Sequence, residues 1–398
     1  MANVVKIVHT ADLHLGSPFG YFPERAEVLQ ADQLRTFMSI IRLCQDTKSD
    51  LLLIAGDLFE QPRPPMSLVN EVHGLFASIP ETRVFIAPGN HDPAEPDSLW
   101  QGTSWSPNVH VFLNGIEAVD LPHLNTRVYG AAFQGTAAPE PLVKALLPEP
   151  HPDLINILLL HGEIISGNQG SAYNPISNQW LKTCGADYIA LGHTHQGELV
   201  QRLEGMGPWY AYSGCPSGRG FDELGQKCVL SGVLTQMEQT GAALSANGRR
   251  FRILADMDRY PISGRQFLAL PVNIGNCLDQ EAIFQTILQT AQQNGPDWRD
   301  HLYKVILSGA VSDDLLPGSL LLLQRLQQEL FFCKVMNRAT RAYDLRGLAK
   351  EQSLIGGFVR RILSNAEPDW DCLSVQQRQV LQIGLQAFER EVPYGEDD

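Results

Sequence analysis

The stretch VVKIVHTADLHLGSPF, residues 4–19, decides how the chain is read. Val4–Val8 is a short, β-branched apolar run, too short for a typical helix, and it leads directly into Asp12-Leu13-His14. Four further runs have the same form: Leu51–Ala55, Val84–Ala87, Ile155–Leu160 and Tyr188–Leu191. Each reads as a buried strand, and each is followed at once by ligand-capable side chains. These are Gly56-Asp57, Gly89-Asn90-His91-Asp92, His161-Gly162 and Gly192-His193-Thr194-His195. Helical spacing appears between strands, at Asp32–Cys44 and Ser67–Ala77. Alternation of strand and helix predicts a layered α/β domain. The carboxyl ends of successive strands are where an open α/β sheet builds its site. Gly56, Gly89, Gly162 and Gly192 flank these segments and let backbone approach closely.

The residue types point to a chemistry. Two divalent cations about 3.5–4 Å apart can clamp a phosphoryl group and activate a water. Such a pair needs oxygen and imidazole donors together, with one carboxylate able to bridge. The segments supply Asp, His, Asp, Asn and three more His, and leave one histidine to protonate a leaving oxygen.

The ordered set Asp12-x-His14, Gly56-Asp57, Gly89-Asn90-His91-Asp92, His161 and Gly192-His193-x-His195 resembles the signature of calcineurin-like metallophosphoesterases, over residues 4–235. Three stretches are similar more narrowly to the SbcD/YhaO-type DNA repair exonucleases: DLHLGSPF at 12–19, AGDLF at 55–59 and YSGCPSGR at 212–219. The resemblance implies that Asp12, His14 and His195 hold one metal ion. It assigns Asn90, His161 and His193 to a second, with Asp57 bridging, His91 as general acid and Asp92 orienting it. It favours Mn²⁺, while an oxygen and nitrogen donor set also suits Fe or Zn²⁺. DNA as substrate and a separate coiled-coil ATPase subunit as partner are implied in the same way; the sequence leaves the oligomeric state open, a homodimer included. The sequence departs from this pattern at Glu60, where some members carry histidine, at Ser213 (usually proline) and at Cys215 (commonly small and polar).

Composition bounds the alternatives. The chain has 398 residues, with 30 Lys+Arg against 44 Asp+Glu and a net charge of −14. Its 44% apolar and 19% charged content is globular and excludes disordered, collagenous or coiled-coil classes. No apolar run reaches the ~18 residues of a membrane span, so no membrane association is expected, and residues 1–6 do not read as a secretion signal. Seven scattered cysteines without a CxxC pair predict free thiols in a reducing cytoplasm. Cys215 reads as a buried thiol rather than a ligand, and His9, His73, His110, His123, His151 and His301 read as packed or surface residues.

Charge is uneven. Residues 1–235 carry 13 basic against 24 acidic residues, and residues 236–398 carry 17 against 20. The expected organisation is a metallophosphoesterase domain at 1–235, a polar linker at 236–264 and a smaller α+β capping domain at 265–398. In the last, Phe267–Ile274 and Leu302–Leu307 read as strands, and Leu278–Gln293, Pro317–Leu330, Leu345–Ser364 and Leu373–Glu391 as helices. Lys334, Arg338, Arg341, Arg346, Lys350, Arg360 and Arg361 form a basic cluster that is a solvated face or a DNA- or partner-binding surface. No GxxxxGK[ST] loop occurs, so the chain shows no ATP motor of its own. The function expected is a metal-dependent DNA exonuclease or phosphodiesterase of the repair type. Alternatives are a phosphatase or small-substrate phosphodiesterase of the same fold, or a regulatory or scaffold subunit of an ATPase complex. The acidic balance argues against a dedicated non-specific DNA binder.

Overall fold

The five apolar runs are strands, and Leu51–Ile54, Ile155–His161 and Tyr188–Gly192 are buried at every residue. The structure is a computed structural model that describes residues 3–388, apart from 145, 146, 149, 168, 169, 203–206, 239–250, 263, 313, 314, 316–319 and 365. Two six-stranded sheets organise the front of the chain. The first runs, edge to edge, Phe251–Pro261, Cys228–Glu238, Asn3–Thr10, Leu51–Ile54, Arg83–Ile86, Val109–Val111. The second runs Gln201–Arg202, Trp209–Tyr212, Tyr188–Gly192, Ile155–His161, Thr126–Gly130, Glu117–Leu121.

Side chains alternate across each strand, and both faces of both sheets are used. Between the sheets lie Val5, Ile7, Leu53 and Phe85 from the first and Val128, Ile157, Leu159 and Ala190 from the second. The intervening residues Val8, Leu52, Ile54 and Val84 turn the other way, onto Phe37 and Ile41 of helix Ala26–Thr47 and Val72 and Phe76 of helix Met66–Ala77. The far face of the second sheet packs Leu158, Leu160 and Ile189 with Leu181 of helix Asn178–Thr183. The result is a layered α/β sandwich. Parallel pairing of Asn3–Thr10 with Leu51–Ile54, and of that strand with Arg83–Ile86, gathers their carboxyl ends at one edge. Ile155–His161 and Tyr188–Gly192 pair in parallel likewise.

The domain boundary differs from the sequence reading. Residues 236–264, expected as a linker, contain Phe251–Pro261, which pairs antiparallel with Cys228–Glu238 from Glu238↔Phe251 to Cys228↔Pro261. Only Ile253 and Met257 of that strand are buried. A sheet edge with one face in water needs no more apolar residues than this, which is why its composition resembles a linker. Residues 239–250 lie outside the described residues. The chain divides into Met1–Leu268 and Ala269–Asp398.

The second unit has a three-stranded sheet of Phe267–Asn273, Leu302–Ser308 and Phe332–Asn337, with helices Gln280–Gln292 and Leu320–Glu329. The start of the expected helix at 317–319 lies outside the described residues. Leu345–Ser364 is two helices, Leu345–Lys350 and Leu354–Leu363, because the Ser353 side chain accepts from the Gly356 amide and starts a new one. These pack with Val375–Phe388 around Leu345, Val359, Leu363, Leu381 and Leu385. Within the basic cluster, Arg360 donates to the Ala349 and Glu351 carbonyls and closes the preceding helix, and Arg346 lies 3.9 Å from Asp369. No described helix is long and apolar enough to cross a membrane.

Candidate functional site

The loops after the first strands remain zipped together beyond the sheet. The Asp12 amide donates to Gly56 O (3.1 Å), His14 to Asp57 O (2.9 Å), Leu15 to Leu58 O (2.9 Å) and Glu60 to Leu15 O (3.1 Å). Asp12 (φ 53°), His14 (φ 49°), Asp57 (φ 51°) and His193 (φ 99°) all lie at positive φ. Such conformations cost of order 1–3 kcal/mol each and persist only where the surroundings over-determine them. Here the zipped loops do so, and the bends turn the side chains inward. Gly89 is required by close approach: a Cβ there would fall 2.1 Å from Asp57 Oδ1.

The inward side chains form overlapping donor groups. Asp12, His14 and His195 each offer an atom within 4.8 Å of the others, as do Asp12, Asp57 and His161. Asp57 stands between the groups, its Oδ2 3.3 Å from His161 Nε2 and 3.7 Å from His14 Nε2. His14 Nε2 and His195 Nε2 are 3.3 Å apart, and Asn90 Oδ1 lies 3.1 Å from His161 Nε2. The His193 amide donates to both Asp12 carboxylate oxygens (3.0 and 3.1 Å), and its ring sits 5.3 Å from that of His161. Asp12, His14, Asp57, Asn90, His161, His193 and His195 are therefore brought together, with donors on two sides of Asp57.

The outer nitrogens of three histidines are tied down. His161 Nδ1 meets the Ala55 carbonyl at 2.8 Å, His14 Nδ1 the Glu60 carboxylate at 2.9 Å, and His195 Nδ1 the Glu223 carboxylate at 2.6 Å. Arg219 joins the two acids, Nη1 donating to Glu60 (3.0 Å) and Nη2 to Glu223 (3.1 Å). A ligating histidine characteristically donates its other ring N–H to a carboxylate or carbonyl, which fixes its tautomer and aims the free nitrogen at the cation. All three rings present Nε2 inward in this way, so the residues fit a divalent-metal centre.

Electrostatics agree with that fit. Burial pushes the Glu60 carboxyl up, but the hydrogen bond and charge of His14, with Arg219 and His91, outweigh it and hold it at about 2. Glu223 is likewise pushed up by burial and brought down to about 2 by His195 and Arg219. Burial opposes charge on His161, yet Asp57 and Asp12 raise it to about 9. The carboxylates of the site thus favour positive charge, while burial holds the His14 and His193 rings below the usual imidazole range. Burial pushes the Cys215 thiol up to about 12, which leaves it inert.

His91 sits at the rim, 38% exposed, its amide on Asp57 Oδ1 (2.9 Å) and its ring 4.6 Å from that of His14. Asp92 is not its orienting partner. The Asp92 carboxylate is fully buried and accepts from the amides of Gly89 (2.9 Å) and Phe59 (3.0 Å), binding one loop to the other. Burial and the charge of Asp57 push its carboxyl up to about 8. The group facing His91 Nδ1 is Glu60, through its carbonyl (3.3 Å) and carboxylate (3.8 Å). Glu60, Arg219 and Glu223 are thus the site residues the sequence reading does not assign. Glu60 was visible as a departure from pattern, Arg219 as the end of YSGCPSGR, and Glu223 only as an acid four residues beyond that arginine.

Residues 5–197 match the calcineurin-like phosphoesterase family. The uncharacterized metallophosphoesterase YhaO of Bacillus subtilis (strain 168) is 28% identical over 240 residues, which is 57% of this chain and 57% of that protein. The match therefore spans little more than half the length of this curated relative. Among solved structures, the calcineurin-like phosphoesterase YfkN from Bacillus subtilis aligns at 15% identity and a TM-score of 0.38, over 74% of this chain and 98% of its own. TT1561 from Thermus thermophilus aligns at 13% identity and a TM-score of 0.35, over 58% and 98%. The matched residues 5–197 carry every donor from Asp12 to His195, so it is through the donor set that this chain is similar to the calcineurin-like phosphoesterases.

Proposed function

We propose that the chain is a metal-dependent phosphodiester hydrolase that acts on DNA as an exonuclease of the repair type, with Mn²⁺ as its ion. The observation that carries the reading is the doubled donor set. His14 and His195 gather beside Asp57 with Asp12, His161 gathers there with Asp57 and Asp12 and meets Asn90, and the His193 ring lies 5.3 Å from that of His161, so Asp12 is within reach of both groups. When bound, a pair of divalent ions supplies charge for the phosphoryl oxygens and makes water a nucleophile near neutral pH. The protein's own part is to fix the donors. Glu60 and Glu223 hold His14 and His195 in one tautomer, and Asp57 is shared between the two sides. His91 keeps Nδ1 on Glu60, so Nε2 is its outward nitrogen and the one able to give a proton to the leaving oxygen. The second unit, Ala269–Asp398, with its basic residues, is the part we assign to selecting DNA or docking a separate coiled-coil ATPase. A cytoplasmic location agrees with all seven cysteines being free thiols.

The net charge of −14 favours a second reading, a phosphatase or small-substrate phosphodiesterase. Purified protein with Mn²⁺ is to be given end-labelled linear duplex DNA beside a chromogenic phosphodiester and a chromogenic phosphomonoester. Release of nucleotides from DNA ends is the expected outcome. Turnover of the small esters with DNA left intact overturns the exonuclease reading and leaves the second.

A further inference from the structure

Beside the metal-donor cluster lies a cavity of about 360 Å³ that the phosphodiester reading does not use. His195, Glu223, Lys227 and Arg259 are among the residues that line it. The charges differ in how they are spent. Glu223 is engaged by His195 and Arg219, and Arg219 is shared between Glu223 and Glu60. Among the described residues, the Lys227 ammonium and the Arg259 guanidinium have neither a hydrogen bond nor an ion pair; Lys227 is otherwise held through its carbonyl, which accepts from the Ile262 amide (3.0 Å). Lys227 is half-buried, and Arg259 is exposed on the edge strand Phe251–Pro261, opposite Leu230. Arg259 Nη2 comes within 3.7 Å of the point a Cβ on Gly197 would occupy, two residues beyond His195. The one acid of the lining left uncommitted is the exposed Asp222.

Two uncommitted cations turned into one cavity, in a chain this acidic, describe a place for an anion. We propose that this cavity binds a second phosphate group of the substrate, the one next to the phosphodiester that is cleaved. The proposal rests on the phosphodiester reading and deepens it. Lysine supplies a compact charge and arginine a planar fork, a pairing suited to phosphate oxygens. The volume is that of a site for a small ligand, enough for a phosphate and part of the sugar that carries it. A substrate with a single phosphate leaves the cavity empty; a nucleotide chain fills it.

The test uses the p-nitrophenyl ester of thymidine 5′-phosphate, with and without an added 3′-phosphate, on the full chain and on Lys227→Gln/Arg259→Gln. Charge-assisted hydrogen bonds are the stronger class, so a preference of about tenfold or more for the 3′-phosphorylated ester is expected. In the double variant that preference disappears through KM, and the singly phosphorylated ester turns over within twofold of wild type. A wild type without preference, or a variant that keeps it, overturns the proposal. Calorimetric binding of thymidine 3′,5′-bisphosphate to the metal-stripped protein is the second readout. Its Kd should rise at least tenfold in the variant, and an unchanged Kd also overturns the proposal. If neither ester is hydrolysed, the phosphodiester reading has failed, and the calorimetry still decides the subsite.

Discussion

Changing Glu223 to glutamine keeps the side chain's size and removes its charge from behind His195. Carboxylates in this position behind ligating histidines are worth 10–100-fold in metal affinity. The geometry places Glu223 at the upper end. It lies 2.6 Å from His195 Nδ1 with its side chain 6% exposed, whereas Glu60 lies 2.9 Å from His14 Nδ1 and is 23% exposed. Glu223→Gln should therefore weaken binding about 100-fold, or about 2.7 kcal/mol, and Glu60→Gln about tenfold. Because Arg219 links the two acids, the double variant should not be additive. Either single change leaves the guanidinium with one acid partner and makes the pocket less welcoming to cations. The assay is calorimetric titration of Mn²⁺ into metal-stripped protein, with Asp222→Asn as a neighbouring exposed control and thermal unfolding to show that each variant folds. An affinity of Glu223→Gln within twofold of wild type, or equal to that of Asp222→Asn, refutes the reasoning.

Two further outcomes follow from the same geometry. His91→Ala should lower turnover by about 10²–10⁴-fold with metal stoichiometry unchanged, since the ring sits at the rim; loss of metal in that variant would make His91 a ligand instead. Burial holds His9 down at about 3, against 6.5 for the free side chain. Between those values the unfolded chain binds the proton and the native protein does not. His9 therefore adds nothing to the pH dependence above 6.5, and its contribution to stability is lost as pH falls toward 3, by about 2 kcal/mol between pH 6.5 and 5. Urea unfolding of His9→Phe in chelator should show a flatter acid limb than wild type, and parallel limbs would refute the assignment.

The front of the fold was legible because its central strands are buried on both faces. Leu51–Ile54 and Tyr188–Gly192 have no polar alternation to blur them, and their ends are marked by glycine and ligand-type residues. The edge strands were not legible. Glu117–Leu121 and Phe251–Pro261 bury only alternate or scattered residues, so their composition is that of a loop. The break at Ser353 was hidden for a related reason. Apolar spacing runs on across it, and only the capping hydrogen bond shows that the helix restarts. The inward donors could be read from local motifs, each lying just past a strand. Glu60, Arg219 and Glu223 could not, because their role exists only once residues 159 positions apart meet, as Arg219 and Glu60 do. Asp92 is the same case: adjacency in the chain points to His91, while its carboxylate accepts from the Phe59 amide in another loop.

The site belongs to neither sheet alone. The first sheet delivers Asp12, His14, Asp57 and Asn90, and the second delivers His161, His193 and His195. Its geometry is therefore set by how the sheets lock together, and the lock is polar where it nears the site. His9, within the first sheet, meets Tyr188 Oη at 2.9 Å and the Leu191 carbonyl at 3.2 Å, both in the strand that ends before His193. One step further out, His161 Nδ1 reaches across to the Ala55 carbonyl. A Cβ on Gly192 would fall 1.9 Å from that same oxygen, so the sheets touch there through bare backbone. A buried polar group left without its partner costs about 1–3 kcal/mol, so these contacts penalise any slippage of one sheet against the other. Cations that bind only when both halves of the donor set are aligned add to the same term, stabilising the sandwich by RT ln(1 + [L]/Kd). The backbone strain at Asp12, His14, Asp57 and His193 is thus offset by the packing that defines the fold, and the donor set is held in place before any ion arrives.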